Sequence, residues 1–187
     1  MKRILFVVAV FAAATSFAQN KKLPLEGAVQ AGMLEGESGT AFQLGLRGGF
    51  KFSTWSTAIG TGLDYYGVRS IPLYLHVQKR LFNRPQTPFA YINGGYHFPW
   101  KSEEARWSSW SSEINRNGGL YYEAGLGYQF SAFNNKALFF AAGYSFKRYA
   151  EEILSNRFCF EPGPCPNYRE NFTYRMRRLS ITTGLRF

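Results

Sequence analysis

The sequence predicts an all-β chain folded as an eight-stranded antiparallel up-and-down transmembrane β-barrel. Three observations carry that expectation. Apolar residues recur at every second position in stretches of about ten residues, the length a tilted strand needs to cross a bilayer. The intervening positions hold glycines mixed with charges of both signs. The connectors between stretches alternate between short and long.

Composition agrees. Of 187 residues, 45% are hydrophobic, 18% aromatic and 18% charged, so the chain carries enough aromatic surface to fold and too little charge for a disordered tail. Its 19 glycines argue against a helical protein, since each interior helical glycine costs about 1 kcal/mol relative to alanine. The net charge of +10 is dispersed, without a block of like charges. In an exported chain that excess points to anionic lipid head groups, including lipopolysaccharide, and not to nucleic acid.

The first element is an address. Lys2 and Arg3 precede an apolar run from Ile4 to Ala14, and Ser16-Phe17-Ala18 supplies the small residues that a signal peptidase reads. Cleavage is expected after Ala18, giving a signal peptide over 1–18 and a barrel over 19–187. The 11-residue run is too short for a helix crossing hydrocarbon, which needs about 20 residues.

The strands follow in chain order. Weak alternation near 24–35 opens the series. Phe42, Leu44, Leu46, Gly48, Phe50 and Phe52 then oppose Gln43, Gly45, Arg47, Gly49 and Lys51. A weaker stretch near 55–66 comes next, and Ile71, Leu73, Leu75 and Val77 oppose Pro72, Tyr74, His76 and Gln78. After another weak stretch near 88–98, Leu120, Tyr122, Ala124, Leu126, Tyr128 and Phe130 oppose Tyr121, Glu123, Gly125, Gly127 and Gln129. Leu138, Phe140, Ala142, Tyr144 and Phe146 oppose Phe139, Ala141, Gly143, Ser145 and Lys147. The series ends with Leu179, Ile181, Thr183, Leu185 and Phe187 against Arg178, Ser180, Thr182, Gly184 and Arg186.

The connectors orient the barrel. Short ones fall at Ser53-Thr54, 83–87 and 131–136, and the longest at 99–117 and 150–172. With the amino terminus in the periplasm, all the short ones lie inside and both long ones outside, as in outer-membrane barrels.

A soluble barrel or sandwich also alternates, so the glycine face decides which side meets water. Exposed strand glycines would weaken a sheet with no compensating packing, whereas small residues beside charges suit the narrow interior of eight strands. Parity therefore places Glu26, Asp64 and Glu123, with Arg47, Lys51, Arg80, Lys147, Arg178 and Arg186, in the lumen, where unpaired charge is costly and ion-pair networks are expected. Aromatics near the strand ends are expected in two interfacial girdles: Phe50, Phe52, Trp55, Phe82, Phe89 and Phe130 at one, and Tyr65, Tyr66, Phe98, Trp100 and Tyr149 at the other.

Two connectors carry further candidates. Cys159 and Cys165 flank Phe160-Glu161-Pro162-Gly163-Pro164, which reads as a small disulfide-closed loop in an oxidising compartment. Arg106, Trp107 and Trp110 in the loop from Trp100 to Asn117 suit external binding, or packing of a hairpin above the membrane.

The terminal Gly184-Leu185-Arg186-Phe187 resembles the signal of outer-membrane barrels, in which a last-residue Phe187 and the apolar Leu185 are read by the barrel assembly machinery. The stretch Ile71 to Phe82, Pro88-Phe89-Ala90-Tyr91 and Gly94-Gly95-Tyr96 resembles the mid-barrel segment of small outer-membrane β-barrel proteins of Bacteroidetes-type bacteria. The resemblance covers the mature chain and implies an architecture more than an activity.

Chemistry is sparse. No G-x-S-x-G elbow, H-E-x-x-H motif or phosphate-cradling loop occurs, so no catalytic residue, metal or cofactor is assigned. His76 and His97 are expected to face the lumen, His97 near the outer rim. The expected function is a plugged, non-enzymatic barrel with a structural or surface-display role, its partners the bilayer, lipopolysaccharide and an external ligand or protein. The alternatives are a narrow channel, or a lipid-modifying enzyme using His97 with one of Ser102, Ser108, Ser109, Ser111 and Ser112.

Overall fold

In a computed structural model the alternating segments close into a barrel, and the structure describes residues 24–100, 112–132, 136–155 and 168–187. The signal segment 1–18, Arg106, Trp107, Trp110, Cys159 and Cys165 lie outside the described residues. The strands are β1 (Leu25–Gly36), β2 (Gly39–Phe52), β3 (Trp55–Asp64), β4 (Ser70–Arg80), β5 (Thr87–Pro99), β6 (Ser112–Asn117), β7 (Gly119–Ser131), β8 (Ala137–Ser155) and β9 (Tyr168–Arg186). Each pairs antiparallel with its neighbours, β5 pairs with β7, and β1 pairs with both β2 and β9, which closes the cylinder. At the seam Gly27 and Phe187 exchange backbone hydrogen bonds of 2.8 and 2.9 Å.

Nine strands make eight staves because β6 and β7 are two parts of one. Both pair with β8, but Asn117 opposes Ala150 while Tyr121 opposes Lys147, so four steps on one side match three on the other. The extra residue is a β-bulge, which reverses the facing of the side chains beyond it. Gly118 and Gly119 occupy it, and a Cβ there would collide with the carbonyls of His97 and Arg148. The segment 112–117, expected as loop, is therefore strand. Similarly β8 and β9 run to Ser155 and from Tyr168, shortening the expected 150–172 connector to 156–167. Strands β6, β8 and β9 thus rise past the rim as a three-stranded sheet.

The pleat settles the direction of the two faces. Leu126, Ile181 and Ile92 are 68%, 67% and 63% exposed around the outside, while Lys147, Arg178 and Glu123 are 0%, 1% and 3% exposed inside. The apolar rows therefore face outward and the ionic rows face the axis, the inverse of a water-soluble barrel. Three of the aromatics expected in the girdles face inward instead: Phe89, Tyr66 and Tyr149 are buried. Phe89 shares the parity of Tyr91, Asn93 and His97, so the pleat overrides its position near the strand end. Phe50, Phe52, Trp55, Phe82 and Phe130 at one end, and Tyr65, Phe98 and Trp100 at the other, are exposed.

The lumen glycines have a spatial reason. Gly60 lies opposite Tyr74, Gly127 opposite Phe89, Gly125 opposite Tyr91 and Gly184 opposite Phe139. In each case an added Cβ would run into the facing ring. The rings lie across the glycines and fill an interior too narrow for two large side chains at one level.

Candidate functional site

The lumen is the candidate site, and its polar groups form three tiers. In the tier nearest the long connectors, Asp64 on β3 accepts from Lys147 of β8 at 3.2 Å, from Arg178 of β9 at 2.6 Å and from the Tyr66 backbone N–H at 2.8 Å. Lys147 also reaches the carbonyls of Tyr66 and Val68 and the hydroxyl of Ser70 at 2.9–3.1 Å. Arg178 donates to Ser145 at 2.8 Å and lies 5.3 Å from the Tyr66 ring centre. One carboxylate thus serves two fully buried cations, and neutral oxygens solvate the remaining charge.

Glu123 occupies the middle tier without an ion pair among the described residues. Its carboxylate accepts from Tyr91 at 2.7 Å, Tyr121 at 2.6 Å and Ser180 at 2.6 Å, with Asn93 at 3.4 Å. Hydroxyl donors here replace the cation expected from the sequence. Because the Asn93 amide nitrogen points at Glu123, its oxygen is left to accept from His76 Nδ1 at 2.6 Å. Arg47 also has no carboxylate within ion-pair distance among the described residues; it lies 4.8 Å over the Phe139 ring and 3.5 Å from His76 Nδ1. At this level the free volume is about 10 Å³, room for one water molecule at most.

In the third tier, by the short turns, Arg186 pairs with Glu26 at 3.2 Å, donates to Gln78 at 2.7 Å and bonds Gln129. Phe89 and Phe139 stand 5.8 and 5.7 Å from its guanidinium carbon. Arg80 bonds the Ser53 carbonyl, and among the described residues neither it nor Lys51 joins an ion pair. Of the nine expected lumen charges, the structure joins Asp64 with Lys147 and Arg178, and Glu26 with Arg186; it gives Arg47, Lys51, Arg80 and Glu123 other surroundings. Below this tier the lumen widens to a vestibule of about 680 Å³ at the short-turn mouth.

His97 sits at the opposite rim, buried, with Nε2 donating to the Arg148 carbonyl at 2.7 Å and Nδ1 unpartnered among the described residues. Beside it, on the outside of the sheet, Arg148 lies directly opposite Arg175, and Arg177 lies opposite Phe146. All three arginines are exposed, just past the apolar level of Tyr144 and Leu179. Of the acids on this outer face, Glu35 accepts from Thr40, and Glu152 pairs with Arg169 at 2.8 Å.

Sequence reasoning put Tyr74, Tyr121 and Phe139 on the lumen row with the charges, but did not place Tyr66, Phe89 and Tyr91 there, although all six line the lumen. The signal was present, because each ring shares parity with a buried polar residue on its own strand or turn.

No protein-family model and no curated protein matches the chain. Solved structures do. The chain is similar to the outer membrane protein OprG from Pseudomonas aeruginosa, with 12% identity, a TM-score of 0.60, and coverage of 88% of this chain and 97% of that one. It is similar to the outer membrane protein AlkL, studied in lipid bilayers, with 10% identity, a TM-score of 0.51, and coverage of 89% and 90%. It is also similar to a major outer membrane protein from Thermus thermophilus, with 10% identity, a TM-score of 0.50, and coverage of 88% and 100%. What these share with the chain is the fold, a small closed antiparallel barrel.

Proposed function

We propose that this is an outer-membrane barrel whose lumen serves as a plug, and that it acts structurally or by displaying its outer connections, without catalysis or a cofactor. The three-tiered packing of the lumen carries this reading, because the middle tier leaves room for about one water between Arg47, Glu123 and the aromatic rings. The outward apolar band and the kinship of fold support the location. The sheet of β6, β8 and β9 supports display, since it carries the backbone at Ser112, Ser155 and Tyr168 past the rim. On this reading Arg106, Trp107 and Trp110 would contact an external ligand or protein, and a Cys159–Cys165 disulfide would close the last connector. Leu185 and Phe187, both exposed on the outer surface, would be read by the assembly machinery. Kinship with the small barrels of Bacteroidetes-type bacteria rests on the mid-barrel and terminal motifs.

Two measurements test this. In planar bilayers the purified barrel should show no steady ion conductance, and replacing 101–111 with a short Gly-Ser linker should abolish surface binding while leaving the folded barrel intact. Stable single-channel steps would overturn the plug.

Lipopolysaccharide is the proposed lipid partner at the outer rim. Like charges directly opposite across a ladder destabilise it. Arg148 and Arg175 occupy such a pair, and a phosphate seated between them would convert repulsion into charge-assisted hydrogen bonds. Replacing Arg148, Arg175 and Arg177 with Ser should weaken lipopolysaccharide retention about tenfold or more, as expected for lost charged contacts. Equal retention of dephosphorylated lipid A by the original protein would contradict the assignment.

A further inference from the structure

The vestibule at the short-turn mouth has a charge imbalance that the plug does not require. Lys51, Arg80, Arg84, Lys136 and Arg186 line it, and Glu26 is the one acidic side chain among its lining residues. Even with a main-chain carboxylate at Phe187, an excess of three positive charges surrounds one cavity.

The site is also built. Arg80 and Arg186 are 6% and 5% exposed, and the Arg186 Nε, although 3.2 Å from Glu26, lacks a well-aligned hydrogen bond. Gln78 and Gln129 fix the Arg186 guanidinium, and Phe89 and Phe139 form an apolar backing that strengthens its field. On the plug reading nothing passes beyond the middle tier, where the free volume is about 10 Å³. The cavity is therefore a blind cup, rigid at its floor and cationic at its lip, where Arg84 and Lys136 are exposed.

We propose that this vestibule binds a phosphate-bearing anion from the side of the short turns. A monocarboxylate would cancel only one charge of the excess. A phosphate group brings up to two charges and several oxygens, which suits paired hydrogen bonds from the exposed Arg84 and point contacts from Lys51 and Lys136, over the buried charges of Arg80 and Arg186. The group could belong to a soluble phosphate or diphosphate, or to the head group of a neighbouring phospholipid.

The assignment extends the plug reading, but its test is independent of it. Calorimetry on the full-length protein in neutral detergent, at constant ionic strength, should show saturable binding of inorganic pyrophosphate at one site per barrel. Affinity should exceed that for acetate by about tenfold or more, the scale of one additional charged hydrogen bond. The double variant Lys51→Gln/Arg84→Gln alters the lip and spares the buried tiers; it should lose most of this binding and keep its fold by circular dichroism. Glu26→Gln should tighten binding, since it removes the competing carboxylate. Native mass spectrometry from phosphatidylglycerol nanodiscs then separates the sources: retention of that lipid by the original protein but not by the double variant places a head group in the cup, and no retention leaves the soluble anion. Pyrophosphate binding no stronger than acetate, or unchanged in the double variant, would overturn the proposal. A conducting barrel that still bound pyrophosphate would refute the plug and leave this site standing.

Discussion

Replacing Asp64 with Ala is expected to be the most damaging single change in the lumen, costing about 3–5 kcal/mol, the range for leaving a buried charge uncompensated. Asp64 is the carboxylate shared by Lys147 and Arg178, both fully buried. Its removal strands two cations together in an interior that Tyr66, Ser70 and Ser145 only partly solvate. The measurement is the urea midpoint of folding into detergent micelles or lipid vesicles, with heat-modifiable gel mobility as a second readout. The triple replacement Asp64→Leu/Lys147→Met/Arg178→Met should recover much of the loss, because an apolar set of similar volume has no charge to desolvate. A loss below about 1 kcal/mol for Asp64→Ala would mean that water reaches this tier and that the cations are solvated, as at an exposed pair.

The second expected result concerns the outside. Ile92 lies in the middle of β5 and is 63% exposed. In a lipid-facing position, Ile92→Arg should destabilise the barrel by about 2–4 kcal/mol in vesicles, the cost of arginine near the bilayer midplane. Were this face wetted, the same change would shift stability by no more than about 0.5 kcal/mol, as surface substitutions usually do. Glu37→Arg, in the turn between β1 and β2, serves as the control and should be nearly neutral. Equal effects at both positions would remove the membrane assignment. A charge is removed at Asp64 and added at Ile92, and both changes destabilise because the barrel's polarity is inverted.

Much of this architecture is local and therefore legible in the residue order. Period-two alternation reports which side chains share a face, so Leu179, Ile181 and Leu185 separate from Arg178, Ser180 and Arg186 without reference to any other strand. The opposed glycine and ionic row indicates which face must be crowded and which must meet hydrocarbon. Phe89 and Tyr149 show how that logic is misapplied: position near a strand end suggests an interface, but the pleat determines direction and turns both inward, while the turn after β3 folds Tyr66 in. The bulge at Gly118-Gly119 is harder to read. It depends on a count of steps along β8, a strand some thirty residues away, and it converts the expected loop 112–117 into strand.

Residue order alone is enough to establish the fold class, the facing of most strands, the grouping of short connectors at one end and long ones at the other, and the set of charges brought to the axis. Which of those charges meet is a property of the closed barrel. Pairing depends on height along the barrel and on register around it, and both arise from closure of β1 on β9, contacts between the two ends of the chain. Closure lifts Asp64 to the level of Lys147 and Arg178, leaves Glu123 among tyrosine hydroxyls, and gathers Lys51, Arg80, Arg84, Lys136 and Arg186 around one mouth. Alternation fixes a side chain's direction within its strand; its neighbours across the lumen exist only once the sheet has become a cylinder.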